Sequence, residues 1–266
     1  MVLKKKVAVI FAAHGEISQA VSQSFAKEGA KLYLSSRSLA ELEKMKAQLE
    51  GLGSEVYIQE VDACKEDEIT AFYEEVVKRE GKIDVIFNGI GLRPSQHAYG
   101  TPTTLISYEQ FMKPLEVQLG SQFLTSRVGA RFMQETESKG TILTLTSSLS
   151  RMKVPFMAGL VSACTAIEGL TRVMSAEFGM QGIKVICLNP TALYGTRTIR
   201  ETSEANAKLM GLTAEAWNAQ LSQQYLLRQS PSLEQVGEVA AFLASDKGIP
   251  LNSHIIDIDC GSMMVI

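Results

Sequence analysis

The sequence predicts a single-domain α/β protein built on a doubly wound parallel sheet of about seven strands, with helices on both faces. Three observations predict it. Short β-rich apolar runs alternate with longer amphipathic stretches along the whole chain. The runs are apolar at successive positions, as in strands covered by helices on both faces. Each run is followed by a helical stretch or loop long enough for the crossover that a parallel neighbour requires.

The elements follow in order. Residues 6–12 read as a strand, and Ile17, Ala20, Val21 and Phe25 then recur at helical spacing until Gly29. Residues 31–35 form the next strand. Ser38 suits the N-cap of a helix carrying Leu39, Leu42, Met45 and Leu49, closed near Gly51 and Gly53. Residues 55–60 are a third strand, and Ile69, Phe72, Tyr73, Val76 and Val77 mark a third helix. Residues 83–88 are a fourth strand and 89–102 a loop. One long helical region spans 108–136, a strand 141–146, a helix 156–180 and a strand 184–188. The stretch 191–225 is the most polar, with helical pieces. A helix over 233–243 and a strand over 254–259 complete the pattern. No linker, composition break or repeat divides the 266 residues.

Composition narrows the class of function. Hydrophobic residues make up 45% and charged residues 21%, a globular balance rather than a disordered one. The formal charge of −3 lacks the basic excess of a nucleic-acid binder. No apolar run reaches the length of a membrane span, so no membrane partner is expected. The start, Leu3-Lys4-Lys5-Lys6 before an apolar run, has the look of a secretory leader. The helical pattern that follows directly reads better as a buried first strand. The four cysteines have no metal-ligand spacing and form no disulfide framework, which suits a reducing, cytoplasmic setting and no metal site.

In a doubly wound sheet, ligands bind beyond the C-terminal ends of the strands, so the turns there carry the information. The first turn holds Phe11-Ala12-Ala13-His14-Gly15-Glu16-Ile17-Ser18. Val61-Asp62 follows the third strand, and Asn88-Gly89-Ile90-Gly91 the fourth. Ser147 follows the fifth and Asn189-Pro190 the sixth. Phe242-Leu243-Ala244-Ser245-Asp246 precedes a strand ending Asp259-Cys260-Gly261. In order and spacing these segments resemble the short-chain dehydrogenase/reductase superfamily, a Rossmann-like fold, over almost the full chain.

The resemblance implies a dinucleotide turn Thr-Gly-x-x-x-Gly-x-Gly and a catalytic Asn, Ser, Tyr and Lys. Laid on this chain, the turn's Thr falls on Phe11 and its glycines on Ala12, Glu16 and Ser18; only Gly15 is a glycine there. The Asn falls on Gln118, the Ser on Ser147, the Tyr on Leu160 and the Lys on Cys164. No neighbouring Tyr-x-x-x-Lys offers another register, nor does the wider Tyr–Lys spacing of enoyl reductases. Halohydrin dehalogenases, the non-redox relatives, keep Ser and Tyr with Arg, which does not match either. Leucine neither gives nor takes a proton, and positioned acid–base catalysis contributes about 10²–10⁴ in rate. Glu16 places a carboxylate at a phosphate turn, unless it swings outward to cap the helix N-terminus.

Other positions keep the cofactor pattern. The resemblance implies that Arg37 contacts the 2′-phosphate of NADP(H) and Asp62 the adenine, with Gly15, Asn88 and Gly91 beside them. Arg37 equally suits a solvated surface and Asp62 a helix N-cap. Ser147, Gln118, Tyr194 and His14 are the candidate catalytic groups. Gln118 also suits a helix kink, and His14 a solvated loop. Cys164 is either a thiol nucleophile or a small buried filler. Arg93, His97 and Tyr99 fall in the loop after the fourth strand. Tyr194 and Arg197 fall in residues 191–228, which resemble the family's substrate lid.

Three functions remain open on the sequence. One is a divergent oxidoreductase that still binds NADP(H), weakened at the phosphate turn. A second is a non-redox lyase, isomerase or cyclase using the nicotinamide pocket. A third is a catalytically silent binding subunit. A small-molecule substrate fits the first two, and the resemblance implies a homo-oligomer, dimer or tetramer, joined through the helices at 108–136 and 156–180.

Overall fold

The computed structural model describes residues 1–262. Seven strands form one parallel sheet: β1 (Val7–Phe11), β2 (Lys31–Ser36), β3 (Val56–Glu60), β4 (Val85–Asn88), β5 (Thr141–Leu145), β6 (Lys184–Pro190) and β7 (Ile255–Ile258). Their order is β3-β2-β1-β4-β5-β6-β7, and all six pairings are parallel. Alternation along the strands sends side chains to two cores. In β1, Ala8 and Ile10 join α1 (Glu16–Lys27), α2 (Leu39–Glu50) and α9 (Leu233–Ala244) on one face. Val7, Val9 and Phe11 join α3 (Glu66–Glu80), α5 (Gly120–Glu135) and α6 (Ala158–Phe178) on the other. The remaining helices are α4 (Tyr108–Pro114), α7 (Arg197–Leu209) and α8 (Ala214–Ser222).

Two expectations gain detail. The region 108–136 is helical throughout, with an irregular turn at the position of Gln118. Between α4 and α5 the backbone widens into a π turn over Leu115–Leu119, directly after Pro114. Proline cannot donate its backbone nitrogen, and a π turn inserts a residue into the ladder. Ser38 does sit at the N-cap of α2, but its side chain makes no capping bond; the nearby Ser36 hydroxyl takes the Ser38 N–H instead.

The strand order reverses between β2-β1 and β4-β5, which opens a crevice beyond the C-terminal ends of β1 and β4. The segments that follow β1 to β6 meet there, whereas residues 242–246 and 259–261, also singled out in the sequence, lie outside its lining.

Candidate active site

The crevice is a cleft of about 1000 Å³. Its two ends are set by strand order. Arg37 follows β2 and Ser147 follows β5, three strand spacings apart, or about 14 Å across the sheet.

At the outer end stand His14, Arg37, Asp62, Cys64 and Lys113. Among the described residues neither Arg37 nor Lys113 has a carboxylate in ion-pair reach. Asp62 builds the local turn: its Oδ1 accepts the Cys64 N–H at 3.0 Å, and its own N–H donates to Glu68 Oε2 at 2.7 Å. Loss of solvent around the His14 imidazole, aided by the Arg37 charge, holds its pKa below the ordinary value against the opposing pull of Glu41.

The inner end is mostly apolar. Val117, Leu145, Leu149, Leu160, Cys164 and Ile167 line it, with the polar side chains of Ser147, Gln118, Thr146 and Thr191 among them. Ser147 Oγ accepts a long 3.4 Å bond from the Leu149 N–H, which leaves the hydroxyl proton to donate. Gln118 lies in the π turn with 9% of its surface exposed, and its Oε1 has no hydrogen-bond partner. A buried acceptor without a donor costs about 1–3 kcal/mol, so this atom is suited to a ligand's N–H or O–H. Burial pushes the Cys164 thiol up to about 11, so it is a filler and not a thiolate. His14 is the one imidazole among the described lining residues, and it stands at the other end.

The segment bearing Ser147 is tied down from behind. Arg151 donates to Glu168 Oε1 at 3.3 Å and to Asp257 Oδ2 at 2.7 Å. Ser150 adds a 2.6 Å bond to Glu168, and Asn189 a 2.8 Å bond to Asp257. One guanidinium thus joins the turn after β5 to α6 and β7.

Between the two ends lies the first turn. Ala12 adopts φ +50°, so the left-handed geometry that a glycine would favour persists with a methyl group in place. Glu16 opens α1, but its carboxylate does not cap that helix. Its Oε2 accepts the Arg197 N–H at 2.6 Å and its Oε1 accepts Arg200 Nη2 at 3.0 Å, both on α7. The swing that would cap α1 is therefore not made: the carboxylate reaches across to α7 and stays in the cleft lining.

Comparison with known proteins gives the family. The family model described as enoyl-(acyl carrier protein) reductase matches residues 12–263. The chain belongs to this family, within the short-chain dehydrogenase/reductase superfamily. Tropinone reductase-like 1 of Erythroxylum coca is 29% identical over 268 residues, covering 99% of this chain and 92% of its own. Levodione reductase of Leifsonia aquatica is 25% identical over 258 residues, covering 96% and 93%. Among solved structures, NAD⁺-bound xylitol dehydrogenase superposes with a TM-score of 0.89 at 23% identity, covering 97% and 99%. An actinorhodin polyketide ketoreductase with NADPH superposes at 0.87 with 20% identity, covering 97% of each chain. These superpositions establish the fold.

The cleft lining shows which candidates meet. Gly15, Arg37, Asp62, Gly91, His14, Gln118, Ser147, Leu160 and Cys164 all line the cleft. Tyr194 does not: it is half-buried near Tyr225, and desolvation raises its phenol well above the ordinary value. Asn88 is committed to the fold, donating to Thr125 Oγ1 at 3.0 Å and accepting the Ile90 N–H at 2.9 Å. His97 and Tyr99 stack edge to face away from the lining, whereas Arg93 reaches it. Lys113, Arg151 and Arg200 escape a sequence reading, because their partners and positions come from distant segments. The adenosine half of a dinucleotide suits the outer end, where Arg37 and Asp62 would hold it. The phosphate turn does not fit a pyrophosphate in this arrangement, since it already carries the Glu16 carboxylate. Two like charges about 4 Å apart repel by about 1 kcal/mol in water and several times more when desolvated.

Proposed function

We propose that this chain is an oxidoreductase of the superfamily with a non-standard reacting end, acting on a small molecule held by Ser147 and Gln118. One observation carries the reading: a single cleft joins an unpaired Arg37 at one end to a free hydroxyl proton and an orphaned amide oxygen at the other. Its relatives are named as reductases and dehydrogenases. Leu160 and Cys164 stand where the resemblance puts the Tyr and Lys. The reaction that suits such a site takes its proton from water or from the substrate itself. Ser147 donates to an acceptor on the substrate, Gln118 accepts from a donor, and the apolar wall excludes water from the remainder. His14, far from Ser147, has no part in that step. NADP(H) is the expected cofactor, through Arg37, and a cytoplasmic setting is expected.

The test is a titration of purified protein with NADPH, followed by nicotinamide fluorescence, with NADH as control. Saturable micromolar binding that prefers NADPH, weakened at least tenfold by Arg37→Glu, supports the reading. No binding at millimolar cofactor rejects the redox role. A non-redox reading (lyase, isomerase or cyclase) would then take its place, favoured by the carboxylate at the phosphate turn.

A further inference from the structure

Glu16 has no part in the chemistry proposed above, yet it joins segments more than 180 residues apart in the chain. Arg197 is the first residue of α7, so the N–H that Glu16 accepts is one a helix leaves without an internal partner. Thr196 Oγ1 takes the Ile199 N–H of the same turn at 3.3 Å. Arg200 also donates from Nη1 to the Gly195 carbonyl at 2.5 Å, which fixes its guanidinium across the start of the helix. The carboxylate thus meets a helix N-terminus and a guanidinium together, the pairing that proteins use to bind phosphate. Arg197, Thr198 and Ile199 line the cleft, so whatever holds this turn holds one wall of the site.

We propose that Glu16 is a built-in anion that fastens α7 over the cleft and competes with a ligand's phosphate for the Arg197 N–H and Arg200. The inference rests on the reading above and deepens it by assigning the residue that competes with the cofactor's phosphates. With the contact made, the cleft takes a ligand that has no phosphate at the first turn. A diphosphate nucleotide enters by displacing Glu16, and α7 is released as it does so.

The experiment is amide hydrogen exchange of the full chain without ligand, in wild type, Glu16→Ala and Arg200→Ala, followed by titration with inorganic pyrophosphate. Exchange across residues 197–201 is expected to rise at least tenfold in Glu16→Ala and in the same direction in Arg200→Ala. Pyrophosphate is expected to bind Glu16→Ala at least tenfold more tightly than wild type. Unchanged exchange in both variants overturns the fastening, and pyrophosphate affinity that does not rise overturns the competition. NADPH separates this inference from the cofactor reading. If it binds neither wild type nor Glu16→Ala while exchange and pyrophosphate respond as stated, the cofactor reading fails and the Glu16 contact stands. If NADPH binds both equally well and exchange does not change, the reverse holds.

Discussion

Ser18 and Gly89 fit together as a pair. The Ser18 hydroxyl is fully buried without a hydrogen-bond partner, on the first turn of α1. A Cβ on Gly89 would lie 2.0 Å from that oxygen and 3.1 Å from the Phe87 ring. In the superfamily pattern the glycine that permits close approach of helix and strand belongs at position 18. Here the side chain stands on the helix, and the space for it is left by Gly89 after β4. Overpacking such a contact costs about 1–3 kcal/mol. Gly89→Ala is expected to lower the urea-unfolding free energy by that amount, and Ser18→Gly in the same chain to restore most of it. Penalties that merely add would count against the pairing. The departure from a glycine at position 18 is plain in the sequence. The compensation is not, because nothing in the local pattern connects the two residues.

At the scale of elements, the strands were legible because burial on both faces writes itself as unbroken apolar runs. The break in the region 108–136 was legible only through Gln118, which suits a helix kink by the family resemblance, since a π turn leaves the apolar spacing on either side helical. The tie between β6 and α9 was hidden. Lys184 at the start of β6 donates to the carbonyls of Leu243 and Ser245, at 3.3 and 2.6 Å, where α9 ends. Burial pulls its ammonium down to about 8, outweighing the opposing pull of Asp246. In the unfolded chain the same group titrates near 10.5. Between these values the unfolded chain binds more protons, so the contribution of Lys184 to stability rises with pH across that window. Below about 8 both states are charged and the contribution is constant. Wild type should therefore gain stability relative to Lys184→Met as pH rises from 8 to 10.5. Urea unfolding at pH 7, 9 and 10.5 measures the difference, and a difference that stays flat would show that the amine is not desolvated.

For the whole molecule, the order of turns along the chain identified the architecture because each strand end contributes one recognisable segment to one crevice. What the order could not reveal is how segments that never neighbour one another in sequence share a contact, as Glu16 does with Arg200. The outer surface poses a similar question. Phe123 on α5 and Val173 on α6 are 44% and 54% exposed, and Tyr108 at the start of α4 is 78% exposed. Single exposed apolar groups are ordinary, but these lie on the successive helices through which the family resemblance implies that copies of the chain associate. We expect a homo-oligomer in which these side chains leave water. Light scattering after gel filtration should give a dimer or tetramer mass at micromolar concentration. Phe123→Lys combined with Val173→Glu should shift it toward the 29.0 kDa monomer while the far-ultraviolet circular dichroism is kept. Both residues are surface positions outside the two cores, so lost fold is not the expected cause of such a shift. A wild type that runs as a monomer at tens of micromolar would leave the outer faces of α5 and α6 in solvent, with the exposed ring of Phe123 stacked under the Arg127 guanidinium.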